Sequence, residues 1–129
     1  MKIVRLDTLV SEQSDGGTFT GLARLTRMMG IVDQPKVNAY RVEFQPSSRT
    51  AWHTHSGHQI LMVISGRCRF QSERQDVCEV GSGDLVSFSV NEMHWHGATP
   101  DAPMVHLALN INATTQWFQK VSDAEYGQL

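Results

Sequence analysis

The sequence predicts an all-β barrel or sandwich with one short C-terminal helix, on three observations. Apolar and polar residues alternate in short runs, and Gly, Pro, Asp and Ser punctuate those runs. No window holds a helical period long enough to carry a crossover between parallel strands. A length of 129 residues with 40% apolar content fits a single domain, 1–129, with its own hydrophobic core.

Each element follows from its local pattern. Asp15-Gly16-Gly17 reads as a turn, and Phe19 to Met28 as the strand after it. From Val37 to Phe44 the alternation is clean. Tyr40, Val42 and Phe44 share one face, Arg41 and Glu43 the other, and Pro46-Ser47-Ser48 ends the run. Gln59 to Ile64 is apolar on both faces, as suits a strand lying between a barrel interior and a second layer or partner subunit. Ser65-Gly66 turns the chain, and Arg67 to Ser72 and Asp76 to Val80 form the arms of an exposed hairpin. Gly81-Ser82-Gly83-Asp84 is a further tight turn before Leu85 to Val90, and Met104 to Ile111 is the last clear strand. In the tail, Ser122 and Glu125 have capping-box spacing and Val121 and Tyr126 that of a hydrophobic staple, which predicts a helix.

Composition narrows function by exclusion. The net charge is -2 with histidines neutral, and Lys and Arg are scattered rather than striped. Nucleic acid and anionic membranes are therefore not expected as partners. No window approaches the ~18–20 apolar residues of a membrane span, and charges interrupt Met1 to Asp7 too early for a secretion signal. Cys68 and Cys78 flank the hairpin tip, where they could face each other across two strands. With no sign of an oxidising compartment, reduced thiols in a cytoplasmic protein are expected.

The chemistry concentrates in histidine. Five of the six histidines form two clusters, His53, His55 and His58, and His94 and His96; the sixth, His106, lies on the last strand. Residues two apart on an extended chain point to one face, which pairs His53 with His55 and His94 with His96. Neutral imidazoles side by side chelate divalent transition metals. A lone histidine is more often a hydrogen-bonded core or surface residue than a ligand. Two His-x-His pairs in so short a chain point instead to a metal site. His58 should turn away from it.

The segment from Arg49 to Gly66, containing Trp52-His53-Thr54-His55 and Gln59, resembles the first cupin motif: H-x-H, three or four residues, Glu, six residues, Gly. Gly83-Asp84 through His94-Trp95-His96-Gly97 resembles the second, whose histidine is the remaining ligand. The resemblance implies the cupin double-stranded β-helix, a jelly-roll-type barrel. Two departures stand out: Gln59 replaces the usual Glu, and Val90-Asn91-Glu92-Met93 lacks the proline often found before the second-motif histidine. Neutral imidazoles and an amide leave the full charge on a bound ion. That suits Lewis-acid work better than the higher oxidation states of iron oxygenases with a carboxylate ligand.

Arg49 to His55, Gln59, His94-Trp95-His96-Gly97-Ala98 and His106-Leu107-Ala108 are similar to the bacterial cupin hydroxynitrile lyases. Those enzymes are manganese-dependent and reversibly cleave cyanohydrins to a carbonyl compound and hydrogen cyanide. The resemblance implies His53, His55, Gln59 and His94 as ligands of one divalent transition metal, Mn²⁺ first, with Fe, Ni or Zn able to use the same donors.

His96 lies one pleat beyond His94, facing the substrate, and His106, Ala108 and Asn110 share one face of the last strand. The metal would polarise the cyanohydrin oxygen while His106 or His96 moves the proton. A neighbour-orienting role for His96 and a purely structural hydrogen bond for His106 are the plainer alternatives. Thr50 joins the catalytic group on resemblance alone. Tyr40, Val42 and Phe44 form either the pocket wall or ordinary core, and the bulk of Tyr40 favours small substrates. Two other functions compete: an Fe- or Mn-dependent monocupin oxygenase, and a non-catalytic small-molecule-binding cupin. The surplus of non-ligand histidines favours an enzyme, since a binder needs no proton shuttle, whereas the fold alone decides nothing. The two-sided strand from Ile60 to Ile64 points to a homo-oligomer, dimer or tetramer.

Overall fold

A computed structural model describes residues 1–127. The all-β reading is borne out. A 3₁₀ turn at Leu6–Thr8 precedes β1 (Ser11–Gln13), β2 (Phe19–Thr20), β3 (Ala23–Val32), β4 (Val37–Phe44), β5 (Arg49–Thr50) and β6 (His53–His55). There follow β7 (His58–Ser65), β8 (Arg67–Ser72), β9 (Cys78–Gly81), β10 (Leu85–Phe88), β11 (His94–Ala98), β12 (Met104–Ile111), β13 (Thr115–Trp117) and helix α1 (Asp123–Tyr126). One sheet runs β1-β3-β4-β12-β7-β10; the other runs β13-β6-β11-β5-β2, with β8 added beside β11 and β9 beside β8.

Side chains alternate across each sheet, so the two inner faces meet and enclose the site. On β7, Gln59, Leu61 and Val63 point inward and are buried. Their cross-strand neighbours on β12 are Asn110, Ala108 and His106, and those of His106 and Ala108 on β4 are Val42 and Tyr40. Phe19, Val42, Phe44, Val63, Ala98 and Met104 belong to one buried cluster beneath the site. The opposite face of β7 is less covered: Met62 and Ile64 are exposed, and Leu85, paired with Met62, is 66% exposed.

The predicted strand from Phe19 to Met28 is two strands in different sheets. Gly21, at φ 78°, bends the chain so that β2 pairs with β5 and β3 with β4. Alternation continues through the bend, so the sequence pattern does not show it. The run predicted to reach Val90 ends at Phe88, ahead of Asn91 at φ 61°. The hairpin register sets Cys68 opposite Val80 and Cys78 opposite Phe70, so the thiols do not face each other, and both are free. Burial pushes the Cys68 thiol up to about 12.

The tail folds as its spacing predicts. Ser122 and Glu125 form both bonds of a capping box, and Val121 and Tyr126 are buried against Trp52 and Trp95. Arg49, itself buried, donates to the Val121 carbonyl at 2.9 Å and to Asp123 at 2.8 Å. Its guanidinium lies 4.4 Å from the Tyr126 ring centroid. This ties α1 to β5, the strand that also carries Thr50.

Candidate metal centre

Strand pairing brings the two histidine motifs together. His94 on β11 is the direct cross-strand partner of His53 on β6, and their ring centroids stand 4.3 Å apart. His55 follows on the same face of β6, with its ring 4.9 Å from His53 and 5.3 Å from His94. Close approach of the surrounding backbone is possible because Gly97 and Gly57 have no side chain. A methyl group at Gly97 would overlap the Ser48 carbonyl, and one at Gly57 the Ile111 carbonyl. Phe88 closes the rear of the cluster, stacked on His94 at 3.8 Å between centroids.

Hydrogen bonding fixes where the protons are. His53 Nδ1 donates to the Ala51 carbonyl at 2.8 Å, and His94 Nδ1 donates to the Glu92 carbonyl at 2.8 Å. Burial pulls His53 well below the ordinary imidazole range and brings His94 down to about 4. Both rings are therefore neutral at pH 7, and each has spent its single N–H, leaving Nε2 a lone pair. His55 Nδ1 hydrogen-bonds Thr115 Oγ1 at 2.9 Å, and its Nε2 is buried without a partner. Burial lowers His55 as well.

The amide of Gln59 completes the arrangement. Its Nε2 donates to Asn110 Oδ1 at 2.9 Å, and its Oε1 lies 3.1 Å from His94 Nε2. With the His94 proton held at Nδ1, that last contact sets one acceptor against another with no proton between them. A shared cation satisfies both. Two donor atoms at right angles, each about 2.1 Å from one ion, stand about 3.0 Å apart. Neutral nitrogen and amide oxygen donors with unshared lone pairs thus fit a divalent transition metal.

The nitrogens of His53, His94 and His96 also lie within 4.8 Å of one another, close enough to hold a metal ion. His96, however, has a commitment elsewhere: its Nδ1 shares a hydrogen bond with His106 Nε2 at 3.0 Å. His96 Nε2 and His106 Nδ1 are buried and unpartnered. Burial, and then the neighbouring His106, hold His96 well below the ordinary range, and burial brings His106 to about 4. Thr50 Oγ1 accepts from the His96 backbone N–H at 3.2 Å, which leaves its hydroxyl hydrogen free to donate.

A cavity of about 630 Å³ opens onto this cluster. Thr50, His53, His55, Gln59, His96 and His106 line it, as do Tyr40, Val42, Phe44, Ala108 and Asn110. His94 lies behind the lining, fully buried. His58 is exposed on the other face of β7. Tyr40 forms one wall rather than filling the space, so the cavity is roomier than its bulk implied. Sequence reasoning missed Phe19, Arg27, Thr115 and Trp117. Trp117 pairs with His53 across β13 and β6 and packs on its ring at 4.7 Å. Two-residue spacing of Thr115 and Trp117 was the available signal, on a strand too short to stand out.

Residues 40–110 match the family described as Cupin domain, more than half of the chain. The chain belongs to the cupin family. A relative named (R)-mandelonitrile lyase, from Granulicella tundricola, is 37% identical to this cupin over 129 residues, 98% of each chain. A crystal structure of a cupin-like protein from Thermotoga maritima superposes with a TM-score of 0.80 at 32% identity, covering 88% of this chain and 89% of that one. A structure of Bacillus subtilis oxalate decarboxylase, described for its Mn(II) centres, aligns with a TM-score of 0.63 at 16% identity, covering 74% of this cupin and 28% of that chain. At that identity it speaks to the fold alone.

Proposed function

We propose that this cupin is a metal-dependent hydroxynitrile lyase that cleaves a cyanohydrin to a carbonyl compound and hydrogen cyanide, and runs the reverse addition. The observation that carries the proposal is the juxtaposition of the unsatisfied acceptor cluster with the His96–His106 pair in one cavity. The 37% identical mandelonitrile lyase supports it. His53, His55, Gln59 and His94 are the proposed ligands. His55 is preferred to His96 because its Nδ1 is held by the Thr115 hydroxyl and its unpartnered Nε2 shares a strand face with His53, whereas His96 is tied through Nδ1 to a second imidazole, His106. Mn²⁺ is the proposed ion, in keeping with the mixed N/O donor set. Bound there, the metal supplies a Lewis acid beside the substrate hydroxyl.

The protein's own groups move the proton. His96 Nε2, unpartnered in the cavity, takes the hydroxyl proton, and its Nδ1 bond to His106 spreads the charge gained. The O–H electrons form the carbonyl π bond as the carbon–carbon bond to the nitrile breaks. Its electron pair leaves with cyanide, which recovers the proton from His96 as hydrogen cyanide. Thr50 donates its free hydroxyl hydrogen to the developing charge. Phe19, Phe44 and Trp117 offer an apolar wall for the substituent on the carbinol carbon. A second copy covering Met62, Ile64 and Leu85 is proposed for the exposed face of β7.

The test is cyanide release from racemic mandelonitrile at mildly acidic pH, by metal-stripped protein and by protein reloaded with Mn²⁺. Fast release only after reloading supports the lyase. No release by reloaded protein of confirmed metal content rejects it and moves the cavity to oxygenase or binding chemistry.

A further inference from the structure

The cluster raises a question that a carboxylate ligand never poses. A carboxylate offers oxygen whichever way it turns, whereas an amide has one oxygen end and one nitrogen end. If the Gln59 amide turned over, its NH₂ would face His94 Nε2 and donate to it. That would satisfy the lone pair and close the position to a cation. Something must hold the amide the right way round.

We infer that Asn110 is the positioning residue that turns the Gln59 oxygen toward the imidazoles, and so makes an amide usable as a ligand at this position. The inference rests on Gln59 being a ligand, as proposed above. Asn110 and Gln59 are direct cross-strand partners on β12 and β7, and both are buried, at 5% and 4% exposure. Asn110 Oδ1 accepts from Gln59 Nε2 at 2.9 Å, while Gln59 Oε1 stands 3.1 Å from His94 Nε2. Because the Gln59 side chain is planar, engaging its NH₂ on one side fixes its oxygen on the other. The neighbour on the far side of Gln59 is Phe88, which has no polar atom with which to orient the amide. The Asn110 oxygen is the acceptor that engages the Gln59 NH₂.

The test is a two-by-two cycle of Asn110→Leu and Gln59→Glu, read as Mn²⁺ affinity by calorimetry, with the melting temperature of each metal-free protein as a fold control. With Gln59 in place, Asn110→Leu should weaken Mn²⁺ binding by about 10- to 100-fold, the size typical of losing a group that orients a ligand. In the Gln59→Glu background the same change should have less than about a threefold effect, since a carboxylate needs no orienting. Equal losses in both backgrounds, or none in either, would overturn the inference. Gln59→Leu in an otherwise unchanged chain separates the two layers. If it binds Mn²⁺ like the unaltered protein, the ligand reading falls and takes the inference with it. If it binds weakly while Asn110→Leu binds normally, only the role of Asn110 falls.

Discussion

Two groups of imidazoles share one cavity, and they differ in where their protons are tied. In the first group, His53 and His94 give Nδ1–H to backbone carbonyls and turn bare nitrogen inward. In the second, His96 and His106 spend a nitrogen on each other and leave one unpartnered nitrogen apiece. A backbone carbonyl cannot give a proton back, so the first group is locked as acceptors. A second imidazole can do so, and a hydrogen bond between two such rings carries a proton in either direction. The same side chain is thereby prepared for a cation in one place and for proton transfer a few ångströms away. Burial helps both by keeping every ring neutral at pH 7.

The largest effect should come from removing a locked acceptor. His94→Ala is expected to lose Mn²⁺ binding and bring cyanide release down to background, read by metal analysis and assay on one preparation. His96→Ala should separate the groups: metal content unchanged, and kcat lower by about 10²- to 10⁴-fold, the usual worth of a proton-transferring side chain. Loss of metal in that variant would erase the distinction between the two groups. Thr115→Val removes the hydroxyl on His55 Nδ1 and should weaken Mn²⁺ affinity by about 10- to 100-fold with the fold intact.

The smallest effect concerns acid stability without metal. His94 and His106 stand at about 4 when folded, below the ordinary imidazole value of 6.5. The unfolded chain therefore takes up more protons between those values, and stability present above pH 6.5 is lost as the pH falls toward 4. At pH 5.5 each ring should cost on the order of 1 kcal/mol, seen as a shifted urea midpoint. Saturating Mn²⁺ should deepen the acid loss, because bound metal excludes the protons from the folded state only.

Much of the site was legible because it obeys two-residue periodicity. His53 with His55, His94 with His96, and His106 with Ala108 and Asn110 follow from alternation once the strands are assigned. The pairing between strands is a different matter. Asn110 meets Gln59 only because β7 and β12 slip register near Val105 and His106, and no local pattern announces that slip. The bend at Gly21, which moves Phe19 to the other sheet and against Phe44 at 6.0 Å, was hidden by continuing alternation. Thr115 and Trp117 were hidden by the shortness of β13. The tautomer lock on His53 and His94 uses carbonyls, which every residue carries, so sequence alone could not reveal it.

The most direct test of the locked acceptors is the number of protons released when Mn²⁺ binds at pH 7, measured by calorimetry in buffers of different ionisation enthalpy. Metal binding releases protons wherever its ligands must first be deprotonated. The arrangement described here predicts release near zero at pH 7, rising only as the pH approaches 4, the value to which His94 is depressed. Release of about one proton or more at pH 7 would show that the cluster holds protons in place of a cation and would contradict the account.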